Sequence, residues 1–363
     1  MSQQELTYLN TASAGLLSKQ SLNALSSFYE TMQVNASSCS EQWRFKEFPV
    51  MRETLAKFMD APISNVAFIP NFSYALTAIV HSMHGNERVL LYKQDYPSLL
   101  DAFRLNNFEI TWIDSQDGFE ISADRIKGML LDEKIDVLAI SHVQWGSGFK
   151  IDVQDLSAFC RQHDIIFIVD ATQSMGAVEI SARNVDADAI IASSYKWMNA
   201  GFGSGVMYMA DRFLDRYMPR IGGLGSYTME GDKMFYEPSV RSFEPGHMNI
   251  AGLYMLDSAM REKMEKRLEK IEQHNQKLTQ LLLDDLKQLP VKLLGAYDTT
   301  NRSSIVIIKD ENGLGSFLKD NRVVVTHRGG NLRISAHFYT SELDIKRLVS
   351  CLKQFYRLAI HDN

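Results

Sequence analysis

The sequence predicts an α/β protein whose sheet is buried beneath flanking helices. Two observations carry that prediction. Ile165-Ile-Phe-Ile-Val169 is an unbroken apolar run that ends on Asp170. Such a run reads as a buried parallel strand delivering a carboxylate to its C-terminal tip. The next apolar run, Asp188-Ala-Ile-Ile-Ala-Ser-Ser194, also ends in polar residues and is followed by Lys196. Ligands of open α/β sheets bind at that edge, so two strand ends offer one anion and one amine to the same crevice.

The other elements follow in order. Tyr8-Leu-Asn-Thr-Ala-Ser-Ala-Gly15 is an extended, small-residue opening before an amphipathic helix that begins near Ser18. Helical segments cover about 19–34 and 47–59. The strand at Asn65-Val-Ala-Phe-Ile breaks at Pro70, and a helix starts near Ser73. A turn of this kind aims free backbone N–H groups and the positive end of the helix dipole at the crevice, a ready anion site. Asn71 tolerates left-handed backbone angles, so the turn can be made there. Arg88–Tyr92 is a strand, and Gln94-Asp-Tyr-Pro-Ser98 leads into a helix. After strands near 109–113 and 135–141, Ser141-His-Val-Gln-Trp-Gly-Ser-Gly148 crosses the same sheet edge. Asp152-x-x-Asp155 caps a helix to about His163. Lys196 sits among Tyr195, Trp197 and Met198, ahead of the flexible run Gly201-Phe-Gly-Ser-Gly205. An amine in apolar surroundings is costly to hold charged, so its pKa falls and it becomes nucleophilic.

From Gly222 to Asn249 the chain is glycine-rich and reads as an irregular linker. Ile250–Gln288 is a long amphipathic helical stretch whose Glu/Lys pairs form a solvated face. Strands at 291–297 and 303–309, a short helix at 313–320 and strands at 322–327 and 331–336 then predict a smaller α/β domain. A last helix starts at Ser341, with Asp344 completing a capping box.

Composition excludes several function classes. With 363 residues, 45% of them hydrophobic and 23% charged, the chain is an ordinary globular one with material for a large core. A net charge of −6 gives no footprint for nucleic acid or an acidic membrane. Cys39, Cys160 and Cys351 are scattered, with no CxxC or Cys/His spacing. Neither a disulfide framework nor a metal site is expected, and a cytoplasmic setting fits. Met1-Ser-Gln-Gln-Glu5 lacks the basic start and apolar core of a signal peptide, and no apolar run approaches membrane-spanning length.

The pair Asp-x-x-Gln (Asp170, Gln173) and Ser-x-x-Lys (Ser193, Lys196) resembles the signature of the class V aminotransferase superfamily, fold-type I pyridoxal phosphate enzymes, and the similarity spans nearly the whole chain. The amine would form a Schiff base with the cofactor aldehyde, and the carboxylate would keep a proton on the pyridine nitrogen so that the ring accepts carbanion charge. The resemblance implies a mixed, mostly parallel seven-stranded sheet flanked by helices, plus a smaller C-terminal α/β domain. It divides the chain into an N-terminal arm (1–18) lining the active site, a large cofactor domain (19–245) and a small domain (246–363).

Residue roles are carried over on the matching motifs. The arm resembles the family's "Tyr-Leu-(Asn/Asp)-x-Ala", which puts Asn10 on the substrate side. Asn71-Phe72-Ser73 stands where relatives have Gly-Thr-Thr or Gly-Ser-Thr, so Phe72 and Ser73 would hold the cofactor phosphate. Tyr96 occupies the position of the ring that stacks on the pyridine. Gln173 would reach the phenolic oxygen or the Schiff base, while Ser193 and Tyr195 would bond the phosphate. His247 replaces the threonine of Glu-x-Gly-Thr, which reaches a partner subunit's phosphate. Arg328-Gly-Gly-Asn-Leu-Arg-Ile-Ser-Ala-His-Phe-Tyr339 matches "Arg-x-Gly-x-x-Arg-Ile-Ser-x-x-x-Tyr", which makes Arg333 the fork for the substrate carboxylate.

Local blocks around Val143-Gln-Trp and Ser194-Tyr-Lys-Trp-Met-Asn-Ala-Gly201 look like kynureninase, but Gln173 stands in the place of that family's histidine. Desulfurases need a mobile cysteine shortly before the arginine, and none lies between Cys160 and Cys351. Roles for His142 and Trp145 stay open. The expectation is an aminotransferase using an amino acid and a keto acid in a homodimer with shared sites. The alternatives are a pyridoxal phosphate lyase or hydrolase and a non-catalytic fold relative; the presence of both Lys196 and Asp170 argues against the last.

Overall fold

The computed structural model describes residues 6–115 and 117–361. The opening Met1–Glu5, read above for a signal peptide, lies outside them. Among the described residues, fourteen strands run in chain order: β1 (Thr7–Tyr8), β2 (Val66–Ile69), β3 (Arg88–Tyr92), β4 (Glu109–Ile113), β5 (Val137–Ser141), β6 (Ile166–Asp170), β7 (Ala189–Ser193), β8 (Gly205–Met209), β9 (Tyr227–Glu230), β10 (Lys233–Tyr236), β11 (Ile305–Lys309), β12 (Val323–Val324), β13 (Thr326–Arg328) and β14 (Asn331–Ser335). Seven of them form the expected sheet, in the order β2-β8-β7-β6-β5-β3-β4. All its neighbours are parallel except at β8, which runs against both β2 and β7.

The central strands β5, β6 and β7 are apolar up to their polar tips because both faces are covered. Phe167 and Val169 of β6 pack into one core cluster, while Ile166 and Ile168 pack into the other. Leu138 and Ile140 of β5 divide from Val137 and Ala139 in the same way. A strand with alternating polar residues could not occupy that position. Helices 72–82, 97–104, 123–132 and 153–162 make the connections. Their starts are chemically marked: Ser122 accepts from the Arg125 N–H at 3.2 Å, and Asp152 from the Asp155 N–H at 3.0 Å.

The C-terminal part carries a three-stranded antiparallel sheet, β11-β14-β13, over a separate apolar cluster that includes Leu282, Leu286, Leu314, Ile345 and Leu348. The arm is stitched to it. Strand β1 pairs in parallel with β12, and Leu9 accepts from the Ser335 N–H at 2.8 Å. The Ser341/Asp344 capping box is present, with Ser341 N donating to Asp344 Oδ2 at 2.8 Å.

Several expectations are corrected. The run after Gly201 enters β8, a buried strand, by Gly205. The stretch 222–249 contains the β9–β10 hairpin. The helical stretch from Ile250 is two helices, 250–266 and 268–286, broken at Arg267 with φ +63°. The strand expected at 291–297 is reduced to one bridge, Leu293 to Ile308. No helix among the described residues is long and apolar enough to cross a membrane, and no cluster of His, Cys, Asp and Glu there could hold a metal ion.

Candidate active site

Register brings the predicted groups to one edge. Ser141 of β5 lies directly beside Asp170 of β6, and Ser193 ends β7 on the other side. Asp170 is only 3% exposed, and its Oδ1 accepts from the Thr172 N–H at 2.8 Å. Burial raises the carboxyl above the usual aspartate range, and the nearby Asp95 charge adds to the rise. Thr172 and the Lys196 charge pull it back.

Lys196 follows in the turn after β7 and is 5% exposed. Its Nζ lies 4.9 Å from the Tyr96 ring centre and 5.5 Å from that of Tyr195. Burial lowers the amine's pKa, Asp170 opposes the shift, and Arg333 and Arg328 reinforce it. An amine in that state is both a nucleophile and a base.

At the predicted phosphate turn, Asn71 is extended (φ −172°, ψ 170°) rather than left-handed. It caps the helix that starts at Phe72, accepting from the Tyr74 N–H at 2.9 Å. The Phe72 N–H donates to Ser193 Oγ at 2.9 Å, which ties the helix start to the tip of β7. Phe72 is buried and Ser73 exposed, and no acceptor for the Ser73 N–H is found among the described residues. Tyr195 stacks on the exposed Phe202 at 4.7 Å, and burial pushes its phenol up to about 12.

Tyr96 starts the helix 97–104 and meets Trp145 edge-on at 5.8 Å. Beside it is a residue that sequence reasoning passed over. Asp95 is 2% exposed and accepts from Tyr96 N (2.7 Å), Ser141 N (2.9 Å), Ser141 Oγ (2.5 Å) and Gln144 Nε2 (3.1 Å). It clamps the Tyr96 turn onto the 141–144 segment. A carboxylate between an apolar strand and Tyr-Pro was the one local signal for it.

The arm closes the site from the C-terminal side. Gln173, expected to face the cofactor, has its amide between the arm and the lysine turn: Nε2 donates to Ala12 O at 3.1 Å, and Oε1 accepts from Trp197 Nε1 at 2.7 Å. Asn10 accepts from the Thr326 hydroxyl through its side chain. Gly15 N donates to Tyr195 O at 2.8 Å, so the arm touches the Lys196 turn directly. Arg333, 3% exposed, donates to Trp145 O at 3.0 Å and Ser13 Oγ at 2.7 Å. Its Nε is buried without an acceptor. Arg333 makes no ion pair with an acid among the described residues. A buried guanidinium in that state is set for an incoming carboxylate.

Other candidates lie elsewhere. His142 is buried, with its Nδ1 unpartnered, beside a polar cleft lined by Lys150 and Glu272. Burial and then the Lys150 charge lower its pKa to about 3. His247 is exposed on a groove with Pro70 and Tyr74, and Lys196 does not line that groove. All three cysteines are free and buried.

The donor set fits pyridoxal phosphate: a buried amine, a buried carboxylate on the neighbouring strand tip, a flat ring 4.9 Å from the amine, and an open N–H at a helix start. The sequence profile named Aminotransferase class-V matches residues 7–348. The chain belongs to that family. It is thereby placed among pyridoxal phosphate enzymes that act on amino acids. A probable cysteine desulfurase of Pyrococcus abyssi is 23% identical over 98% of this chain and 95% of its own length. An uncharacterized aminotransferase of Schizosaccharomyces pombe is 27% identical over 84% and 80%. Among solved structures, the apo cysteine desulfurase of Thermococcus onnurineus NA1 superposes with a TM-score of 0.86 at 19% identity, covering 96% of this chain and 94% of its own. The cystine C–S lyase C-DES, complexed with its product cysteine persulfide, gives 0.86 at 19% over 96% and 97%. These likenesses establish the α/β fold with its seven-stranded sheet.

Proposed function

We propose that this class V enzyme is an aminotransferase that works through Lys196. The observation that carries the reading is the convergence of Lys196 and Asp170 from adjacent strand tips beside the Tyr96 ring. Bound pyridoxal phosphate supplies an electron sink for charge developing at the substrate α-carbon. Asp170 holds the proton on the ring nitrogen, and its burial-raised pKa suits a shared proton. The start of helix 72–82, with Ser193 and Tyr195, receives the phosphate. Arg333 takes the substrate α-carboxylate and so fixes which α-bond stands across the ring. Lys196 would hold the cofactor aldehyde through its amine and, when free, would serve as the base and acid for the substrate α-proton.

The lack of a thiol or imidazole beside these groups favours transamination. No cysteine or histidine is found among the residues that line the Arg333 pocket or act electrostatically on Lys196. A second reading, C–S bond cleavage, is favoured by the names of the relatives above. It would proceed here without a thiol nucleophile, since Cys160 and Cys351 are buried in the cores. The exposed His247 and the exposed Met229, Met234 and Phe235 of the β9–β10 hairpin support a homodimer with shared sites. Free, buried cysteines fit a cytoplasmic protein.

The test is spectroscopic and then chemical. Purified protein should absorb in the visible and bleach with borohydride, and Lys196→Ala should lose that band; an unchanged spectrum refutes the assignment. Incubation with a panel of amino acids should release keto acid. Release of ammonia with sulfide instead selects the lyase.

A further inference from the structure

The three-stranded sheet beside Lys196 has an unusual distribution of charge. Cross-strand partners in an antiparallel sheet share a face. Thr326 pairs with Arg333, Arg328 with Asn331, Ile307 with Arg333 and Lys309 with Asn331. Arg328, Arg333 and Lys309 therefore project from one side. The acid of this region, Asp310, is on the opposite side, paired with His327 at 3.1 Å. Neither Arg328 nor Arg333 makes an ion pair with an acid among the described residues.

Both arginines line a cavity of about 200 Å³, together with Trp145, Ile307 and Asn331. Arg328 lies over the Trp145 ring with its Cζ 5.4 Å from the centre, and Trp145 in turn meets Tyr96. The exposed guanidinium is thus parked on an aromatic face at the mouth, while Arg333 is buried at the base. The Arg328 charge raises the cost of the charge on Arg333, and both act on Lys196. One carboxylate answers Arg333. A second cation held nearby without a counter-ion calls for a second anion.

We propose that Arg328 is a specificity residue that selects amino acids carrying a second anionic group on a short side chain, the amino dicarboxylates. This rests on the reading of Arg333 and Lys196 given above. With the α-carboxylate on Arg333 and the α-amine at Lys196, the side chain reaches the cavity mouth. There the Arg328 fork offers it two N–H donors. The tight turn Gly329-Gly330, with φ +55° and +74°, holds Arg328 at the hairpin tip. Asn331, its cross-strand partner, supplies a neutral donor beside it.

The experiment compares aspartate and glutamate with their isosteric amides, asparagine and glutamine, in the cofactor-loaded enzyme. The wild type should favour the acids in kcat/KM by about tenfold or more, the scale of one charge-assisted bond at a wet site. Arg328→Gln should bring the acid-to-amide ratio near one, while the loss of its charge beside Lys196 changes turnover of acids and amides alike. Arg328→Lys should keep part of the preference. A readout independent of turnover is the thermal shift given by succinate relative to propionate, which Arg328→Gln should erase. An acid-to-amide ratio untouched by Arg328→Gln, or equal shifts from succinate and propionate in the wild type, overturns the proposal. Loss of the visible band in the wild type would instead defeat the underlying cofactor reading, so the two failures separate.

Discussion

Replacing Gly15 with alanine is the sharpest structural test of how the arm serves the site. Its backbone needs no left-handed angle; the constraint is space. A Cβ at Gly15 would lie 2.0 Å from the Lys196 carbonyl oxygen and 2.5 Å from Asn199 Nδ2. Real Cβ contacts essentially never fall under 3.0 Å, so the two backbones must separate by about 1 Å or more. The first obstacle is main chain and cannot rotate away. Overpacking of this kind costs about 1–3 kcal/mol. The bonds at risk are Gly15 N to Tyr195 O (2.8 Å) and Asn199 Nδ2 to Leu16 O (3.0 Å). Each is worth about 1 kcal/mol, giving a total of about 3–5 kcal/mol. The displaced atom belongs to Lys196 itself, and a misplacement of about 1 Å in a reacting group costs on the order of a hundredfold in rate. Melting curves and steady-state kinetics read the two effects. Gly128→Ala is the control: helix 123–132 has nothing within 4 Å of that Cβ. That change should stabilise by about 0.5–1 kcal/mol and leave kinetics alone. If Gly15→Ala melts like Gly128→Ala and turns over like the parent, the contact between arm and lysine turn has no functional weight.

Two further outcomes are expected. Asp170→Asn should lower kcat by about a hundredfold or more with little change in KM, the scale of a lost electrostatic anchor for developing charge; normal turnover in that variant would remove Asp170 from the electron-sink argument. Lys263→Met probes a different group. Lys263 is buried, donates to Asn199 Oδ1 at 2.8 Å, and burial lowers its pKa to about 7. Between pH 7 and about 10 the unfolded chain keeps a proton that the folded one sheds, so stability rises with pH by up to about 1.4 kcal/mol per unit. The penalty is full below pH 7, where both states carry the charge. Lys263→Met should therefore melt higher than the parent near pH 6.5 and lose that advantage by pH 10; a pH-independent difference would contradict the assignment.

The strand tips were legible because burial on both faces leaves a signature that needs no partner. An apolar run that ends in Asp170, or in Ser193 before Lys196, can be read in one pass. What stayed hidden depends on elements distant in sequence. Asp95 matters because Ser141 and Gln144 arrive to donate to it. Gln173 faces Ala12 because the arm returns across the sheet edge. Asn71 could have turned left-handed, but it makes the turn as an extended cap that accepts from the Tyr74 N–H. Strand β8 was masked by the glycines before it, and the break at Arg267 carries no glycine or proline to announce it.

That break has a wider consequence. Leu253, Leu256 and Met260, before Arg267, belong to the core under the large sheet, while Leu278, Leu282 and Leu286, after it, belong to the core under β11-β14-β13. The two helices that meet at Arg267 thus pack on different cores, the first on the side that carries the amine and the second on the side that carries the guanidinium. A substrate gripped at both ends would therefore bridge the two cores, with each end answering to a different one.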